Sequence, residues 1–361
     1  MKKFIIVLAC GLAIITGCKK GLEANLPGTL NPTTFPKTEA DFQALVTDVY
    51  KLFTSKWSYN DGRAPGSNSG GIVGDLFYGV EFSNLFLNDY PGEHITVFTD
   101  WGGAFESLSK ADFNFMKTLD TRRNHLEKIR FITKITKIIA DVNASTAIGD
   151  AGKAGYIAEA RAARGIIMYN LLTMYGPVPY IADVALIGTE AEGSMKRPDR
   201  AAYVKTVEDD LRFAADNLLR DPSQYGRFNK GCALTFLMRL YLFEKNWNKA
   251  ETTGREIAAL GYDLVGDYSS LFMTATEKNV ETIWAVTCDP AANGNDNLGN
   301  MNAWTYYTSP PDFPGNLNTA GKRLGGWASA FMATWAFYDS FNPVDSRRGM
   351  LIDSYQAVNS A

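Results

Sequence analysis

Residues 156–175 run YIAEARAARGIIMYNLLTMY and are followed at once by Gly176-Pro177-Val178-Pro179, a helix pattern with an abrupt stop. Ala158, Ala160, Ala162, Ala163 and Gly165 put small side chains on several faces, so neighbouring helix axes can approach closely and the helix reads as central and buried. The turn ends it because proline lacks a backbone donor and restricts the residue before it. Upstream, helical texture begins near Ala104, and Leu126, Ile129, Ile132, Ile135, Ile138, Ile139 and Val142 form an apolar stripe. Downstream, Val204, Val207, Leu211, Ala214, Leu218 and Leu219 mark an amphipathic helix that ends before Asp221-Pro222.

Two more helices, 229–245 and 247–260, follow with almost no connector, and Gly261 stands where the second should end. Ala233, Leu237, Tyr241, Trp247, Ala250 and Ile257 set large knobs and a small residue where paired helices interdigitate, as in a tetratricopeptide hairpin. One such hairpin cannot bury its faces alone, so helix pairs at 104–143 and 151–220 are expected to stack with it. The flanks differ in texture. Thr38 caps a helix whose buried face carries Phe42, Leu45, Val46, Val49, Leu52 and Phe53. Residues 55–91 form a glycine-rich, aromatic-bearing loop. Beyond Asp263, Glu281-Thr282-Ile283-Trp284-Ala285-Val286 reads as a short strand and 291–326 as a loop rich in Asn, Gly and Pro. Trp335, Phe337, Tyr338 and Phe341 then form a helix-like run.

The N-terminus decides the compartment. Lys2 and Lys3 precede an apolar stretch, 4–15, that is too short to span about 30 Å of hydrocarbon, so it reads as a signal peptide. It ends in Ile15-Thr16-Gly17-Cys18, which resembles a bacterial lipobox with Cys18 as the lipid-attachment residue. Acyl chains on Cys18 would tether the body to a membrane, with 18–36 as the lipidated N-terminus and tether. Cys10 leaves with the signal, so only Cys232 and Cys288 remain, and both read as small buried hydrophobes rather than a disulfide framework. A net charge of −3 gives no global pull toward nucleic acid. With 46% hydrophobic residues the chain can bury a large core. Two histidines, His94 and His125, leave little room for metal sites or histidine-based nucleophilic catalysis.

In order along the chain, several elements resemble the SusD/RagB family of outer-membrane lipoproteins. They are Glu159-Ala160-Arg161-Ala162-Ala163-Arg164-Gly165, Tyr169-Asn170-Leu171-Leu172 and Tyr175-Gly176-Pro177-Val178-Pro179; Val204 with Asp210-Leu211; Gly226-Arg227; Tyr241-Leu242; Asn246-Trp247; and Glu281-Thr282-Ile283-Trp284. Asp345 with Arg347-Arg348, and Trp101 with Asn114, extend the resemblance toward both ends. It implies a mostly α fold, tetratricopeptide-like hairpins packed against an irregular, loop-rich ligand-binding half with a few short strands. The body would span 37–361, with the helical-repeat part at about 104–262 and the loop-rich insertion at about 263–361, incomplete at its C-terminus. The resemblance further implies no enzyme and no cofactor. It implies a glycan-binding protein on the outer membrane, lipid-anchored and facing the cell exterior, that delivers its ligand to a SusC-like TonB-dependent transporter. Peptide capture or a protein-only scaffold are the other expectations.

A glycan site needs flat aromatic platforms beside groups that bond hydroxyls in fixed directions. Trp304, Tyr306, Tyr307 and Trp327 with Asn302 and Asn316 are the first candidates, and Trp57, Tyr59, Asn60 and Asp61 the second. Trp101, Trp247 and Trp284 lie in regular elements and are expected to be structural. A lipid-anchored glycoside hydrolase would need two carboxyls about 5 to 10 Å apart. The obvious pair, Asp209 and Asp210, sits on a helix where neighbours point apart and reads as a solvated face. No Walker A loop, dinucleotide fingerprint, paired-histidine or CxxC spacing is present.

Overall fold

The computed structural model describes residues 35–53, 88–97, 107, 109–114, 128–287, 313–314 and 331–357. The chain divides into two compact units, Met1–Lys37 and Thr38–Ala361. Only 35–37 of the first are described. In the second, the helices are α1 (Glu39–Thr47), α2 (Ile129–Ala144), α3 (Asp150–Tyr175), the short α4 (Glu190–Gly193), α5 (Arg200–Asn217), α6 (Lys230–Phe243), α7 (Trp247–Ala258) and α8 (Trp335–Ser340). Two strands, β1 (Ile95–Val97) and β2 (Phe331–Ala333), pair antiparallel. The fold is mostly α, as expected.

Local chemistry sets the helix ends. Thr38 Oγ1 accepts from the Asp41 amide (3.2 Å) while the Thr38 amide donates to Asp41 Oδ2 (2.9 Å), a reciprocal cap that satisfies two otherwise orphaned donors of α1. Asp199, Asn229 and Asn246 cap α5, α6 and α7 with their side chains. Gly176 and Gly261 take φ of +71° and +79° just after α3 and α7, a conformation costly for residues with a Cβ.

The long helix α3 is the hub. It packs on α1, α2, α5 and α6, and α5–α6 and α6–α7 continue the stack as neighbours consecutive in sequence. Ala158, Ala160, Ala162, Ala163, Ile166, Ile167 and Met168 are fully buried along it. A Cβ at Gly165 would lie 2.9 Å from Leu211, so α5 approaches the α3 backbone there more closely than alanine allows. Ile132, Ile135, Ile138 and Val142 of α2 and Val207, Leu211 and Ala214 of α5 close the same core. Burying each such aliphatic side chain contributes about 1.5–3 kcal/mol for the larger ones.

Polar networks pin α3 on two sides. Asp210 accepts from Arg161 Nε (2.7 Å) and from Arg164 Nε and Nη2 (2.7 and 2.9 Å), and Arg164 Nη1 reaches Thr136 Oγ1 (2.9 Å), which donates to the Ile181 carbonyl (2.6 Å). This corrects the solvated reading of the Asp209–Asp210 pair. Asp210 is only 1% exposed and faces two arginines one turn apart on α3, whereas Asp209 points outward to Lys205. On the other side, Glu159 holds Arg227 in a bidentate pair and accepts the Tyr50 hydroxyl (2.5 Å).

Four further expectations change. Residues 281–286 are not a strand: Asn229 Nδ2 donates to the Ile283 carbonyl (2.6 Å) and Trp284 Nε1 to the Gly226 carbonyl (3.0 Å), so the segment is tied to side chain and loop instead of a ladder. The helical texture from Ala104 breaks at 111–114, where Ala111 has φ +52° and the Asp112 side chain accepts from the Asn114 amide (2.9 Å). Trp247 is 62% exposed, because it opens α7 at the hairpin tip, beyond the reach of the α6 face that buries Ala250. Leu219, one residue past the C-cap of α5, is exposed for the same lack of a cover.

Candidate functional site

Of the residues singled out from sequence, Cys18, Trp57, Tyr59, Asn60, Asp61, Asn302, Trp304, Tyr306, Tyr307, Asn316 and Trp327 lie outside the described residues, as do Trp101 and Cys288. The described chain that borders them is informative. The register Ile95↔Ala333, Thr96↔Met332, Val97↔Phe331 joins two segments far apart in sequence, one following the first aromatic-bearing loop and one following the second. Thr334 fastens the end of this ribbon, its amide donating to the His94 carbonyl (3.0 Å) and its hydroxyl to the Glu93 carbonyl (2.7 Å). The same hydroxyl caps α8 through the Phe337 amide, and Phe337 meets the His94 ring edge-on at 5.0 Å. In sequence, Trp327 precedes β2 by four residues and Trp101 follows β1 by four.

A second feature is wholly described: a cleft of about 560 Å³ between the 220–229 loop, Tyr262 and residues 278–285. Its platform is built inward from the α3 network. The Tyr50 hydroxyl, donating to Glu159, accepts from the Phe228 amide (2.9 Å), and the Tyr50 ring stacks on Phe228 at 4.7 Å. Phe228 in turn stacks on Trp284 at 5.2 Å, while Phe53 meets the indole edge-on at 6.1 Å. Burial, then the Glu159 charge, pushes the Tyr50 hydroxyl far up, so it stays protonated and keeps donating. Trp284 is therefore structural, as expected, and its remaining surface also lines the cleft. Sequence reasoning did not single out the walls, Tyr225 and Tyr262. Lys278 Nζ sits 4.6 Å from the Tyr225 ring centre and Arg220 Cζ 4.9 Å from that of Tyr262. Burial raises the Tyr225 hydroxyl, helped by Glu277.

Nucleophilic chemistry finds little support among the described residues. Cys232 is free and buried, and burial pushes its thiol up, which keeps it protonated. Among the described residues no group of three His, Cys, Asp or Glu side chains is arranged to hold a metal ion, and no helix is long and apolar enough to cross a membrane. The cleft presents flat rings held from behind with polar groups at their edges, an arrangement suited to binding.

No family model matches the chain. Among curated proteins it is similar to SusD-like protein P25 of Formosa agariphila, 22% identical over 276 residues that make up 74% of this chain and 48% of that protein. A SusD-like protein of Bacteroides ovatus is 26% identical over 208 residues, 50% of this chain and 38% of that one. The chain thus spans about half or less of the length of these relatives. Among solved structures, a laminarin-binding SusD-like protein superposes with a TM-score of 0.64 at 18% identity, covering 84% of this chain and 64% of that one. Surface glycan-binding protein A from Bacteroides thetaiotaomicron, in complex with laminarihexaose, gives 0.65 at 16% identity, covering 87% and 63%.

Proposed function

We propose, for a chain that belongs with the SusD-like proteins in sequence and fold, that it binds glycans at the bacterial surface without turning them over. The observation that carries this reading is the shared fold, across 87% of the chain, with a surface glycan-binding protein that holds laminarihexaose. The site residues are the loop aromatics with the polar groups beside them: Trp304, Tyr306, Tyr307, Trp327 and Asn302 from one loop and Trp57, Tyr59 and Asp61 from the other, residue types that supply the platforms and polar edges a sugar needs. Residues 1–17 direct export, Cys18 carries the lipid, 18–36 tether the body to the outer membrane, and a SusC-like TonB-dependent transporter receives the ligand.

Affinity electrophoresis against laminarin and a panel of plant and host polysaccharides, with reducing ends assayed on the same samples, tests this. Retardation without release of reducing ends is expected, and Trp304→Ala together with Trp327→Ala should abolish it. Release of sugar would make the protein a hydrolase, and retardation unchanged in the double variant would remove the loop aromatics from the site.

A further inference from the structure

The cleft beside Trp284 has an uneven stock of hydrogen-bonding groups. Its carboxylate and side-chain amide oxygens already have partners within the protein. The Asp221 carboxylate takes both its contacts from Arg220 Nη1 (2.7 and 2.6 Å), the Asn279 carbonyl oxygen is bonded by the Glu281 and Thr282 amides, and that of Asn229 by the Cys232 amide. Several donors remain open. Lys278 contacts only the Tyr225 ring, with no carboxylate in ion-pair reach among the described residues. Arg220 uses Nε on the Leu260 carbonyl and Nη1 on Asp221, which leaves Nη2 open. The hydroxyls of Ser223 and Tyr225 have no partner among the described residues, whereas that of Tyr262 is turned inward against Gly231 and cannot serve. A cleft lined by open donors, a cation over the Tyr225 ring and an immobilised indole is complementary to an acceptor-rich, negatively charged ring compound.

We propose that this cleft is a second ligand site, built from residues other than the loop aromatics, and that it takes an anionic saccharide: a sugar ring on Trp284 and Tyr225, with a carboxylate or sulfate group held by Lys278 and the open edge of Arg220. The platform is pre-organised, since Phe228, Phe53 and the Gly226 carbonyl fix the indole before any ligand arrives. The charge preference is local, because a net charge of −3 repels polyanions from the molecule as a whole. That the anion is a saccharide rests on the glycan-binding reading above; the charge preference rests on the cleft alone.

The purified protein is titrated by calorimetry, at one fixed salt concentration, with polygalacturonate, a sulfated galactan and neutral laminarin. Retention of one or both charged polymers is expected, and which of them binds distinguishes carboxylate from sulfate. Lys278→Gln should weaken that binding at least about tenfold, the scale of one charge-assisted contact, and Tyr225→Ala should weaken it too. Lys196→Gln, an equal loss of charge on an exposed residue elsewhere, should change it less than twofold, and laminarin binding should be untouched by Lys278→Gln. Equal melting temperatures for all variants separate binding from folding. Charged-polymer affinity within twofold of the parent in Lys278→Gln overturns the proposal, as does laminarin binding with neither charged polymer bound. Loss of laminarin binding alone strikes the loop-aromatic reading and leaves this one standing.

Discussion

Replacing Asp210 with alanine should cost the protein about 3–5 kcal/mol, the range for breaking a buried ion pair from one side. The size follows from what is left behind. The carboxylate, 1% exposed, receives three charge-assisted hydrogen bonds of 2.7–2.9 Å from Arg161 and Arg164. Arg161 keeps a route to water, with 23% of its side chain exposed, but Arg164 keeps only 9% and would hold an uncompensated charge against the core. At the scale of 2–4 °C per kcal/mol seen for sizeable domains, the melting temperature should fall by roughly 6–20 °C. The neighbouring Asp209→Ala is the internal control. Asp209 is half exposed and pairs only with the exposed Lys205, so its loss should stay within about 0.5 kcal/mol. Urea unfolding followed by circular dichroism on both variants measures the difference directly. If Asp210→Leu combined with Arg164→Met restores most of the loss, the stranded charge is the cause. A cost below about 1 kcal/mol for Asp210→Ala, or one equal to that of Asp209→Ala, would refute the argument.

Other outcomes test separate parts of the structure. Within α3, Gly165→Ala should destabilise by about 1–3 kcal/mol because the new Cβ meets Leu211 at 2.9 Å, whereas Gly155→Ala, with nothing within 4 Å, should stabilise by about 0.5–1 kcal/mol; urea midpoints read both. Cys232 should resist iodoacetamide in the native protein and react once urea unfolds it, as peptide mapping of the Cys232 peptide would show. The Arg347 side chain and amide hold the Asp345 carboxyl down to about 2, below its ordinary value of 3.8. A lowered folded-state value means that the turn at Ser346–Met350 is favoured above the ordinary value and loses that contribution as pH falls toward 2. A carboxyl NMR titration of Asp345 should find that low midpoint, and Arg347→Gln should move it back up.

The helical core was readable because its signals are local. Caps such as Thr38 and Asn229, the stop at 176–179 and the small residues of α3 each act within a turn or two of the chain. Asp210 was misread for the opposite reason. Which of two adjacent acids turns inward depends on Arg161 and Arg164, and those lie on another helix about one turn apart. The three-residue strands carry too short an alternation to stand out, and each is defined only by a partner far away in sequence. Trp247 matched the knob spacing of a repeat, yet spacing alone does not say that a further helix covers the hairpin tip. The cleft was invisible for a similar reason: Tyr225, Tyr262 and the 278–285 segment are separated in sequence, and only the fold brings them together.

The β1–β2 ribbon also imposes a timetable on synthesis. Residues 128–262 can condense into their helical stack from contacts between near neighbours in sequence, which form early and fast. β1 leaves the ribosome before any of them but finds its partner only after residue 333 has followed, so throughout that interval it is an unpaired strand edge of the kind that invites association with other chains. Its three-residue length keeps that exposure small. A chain interrupted anywhere between 98 and 330 would contain β1 without β2 and never acquire the ribbon.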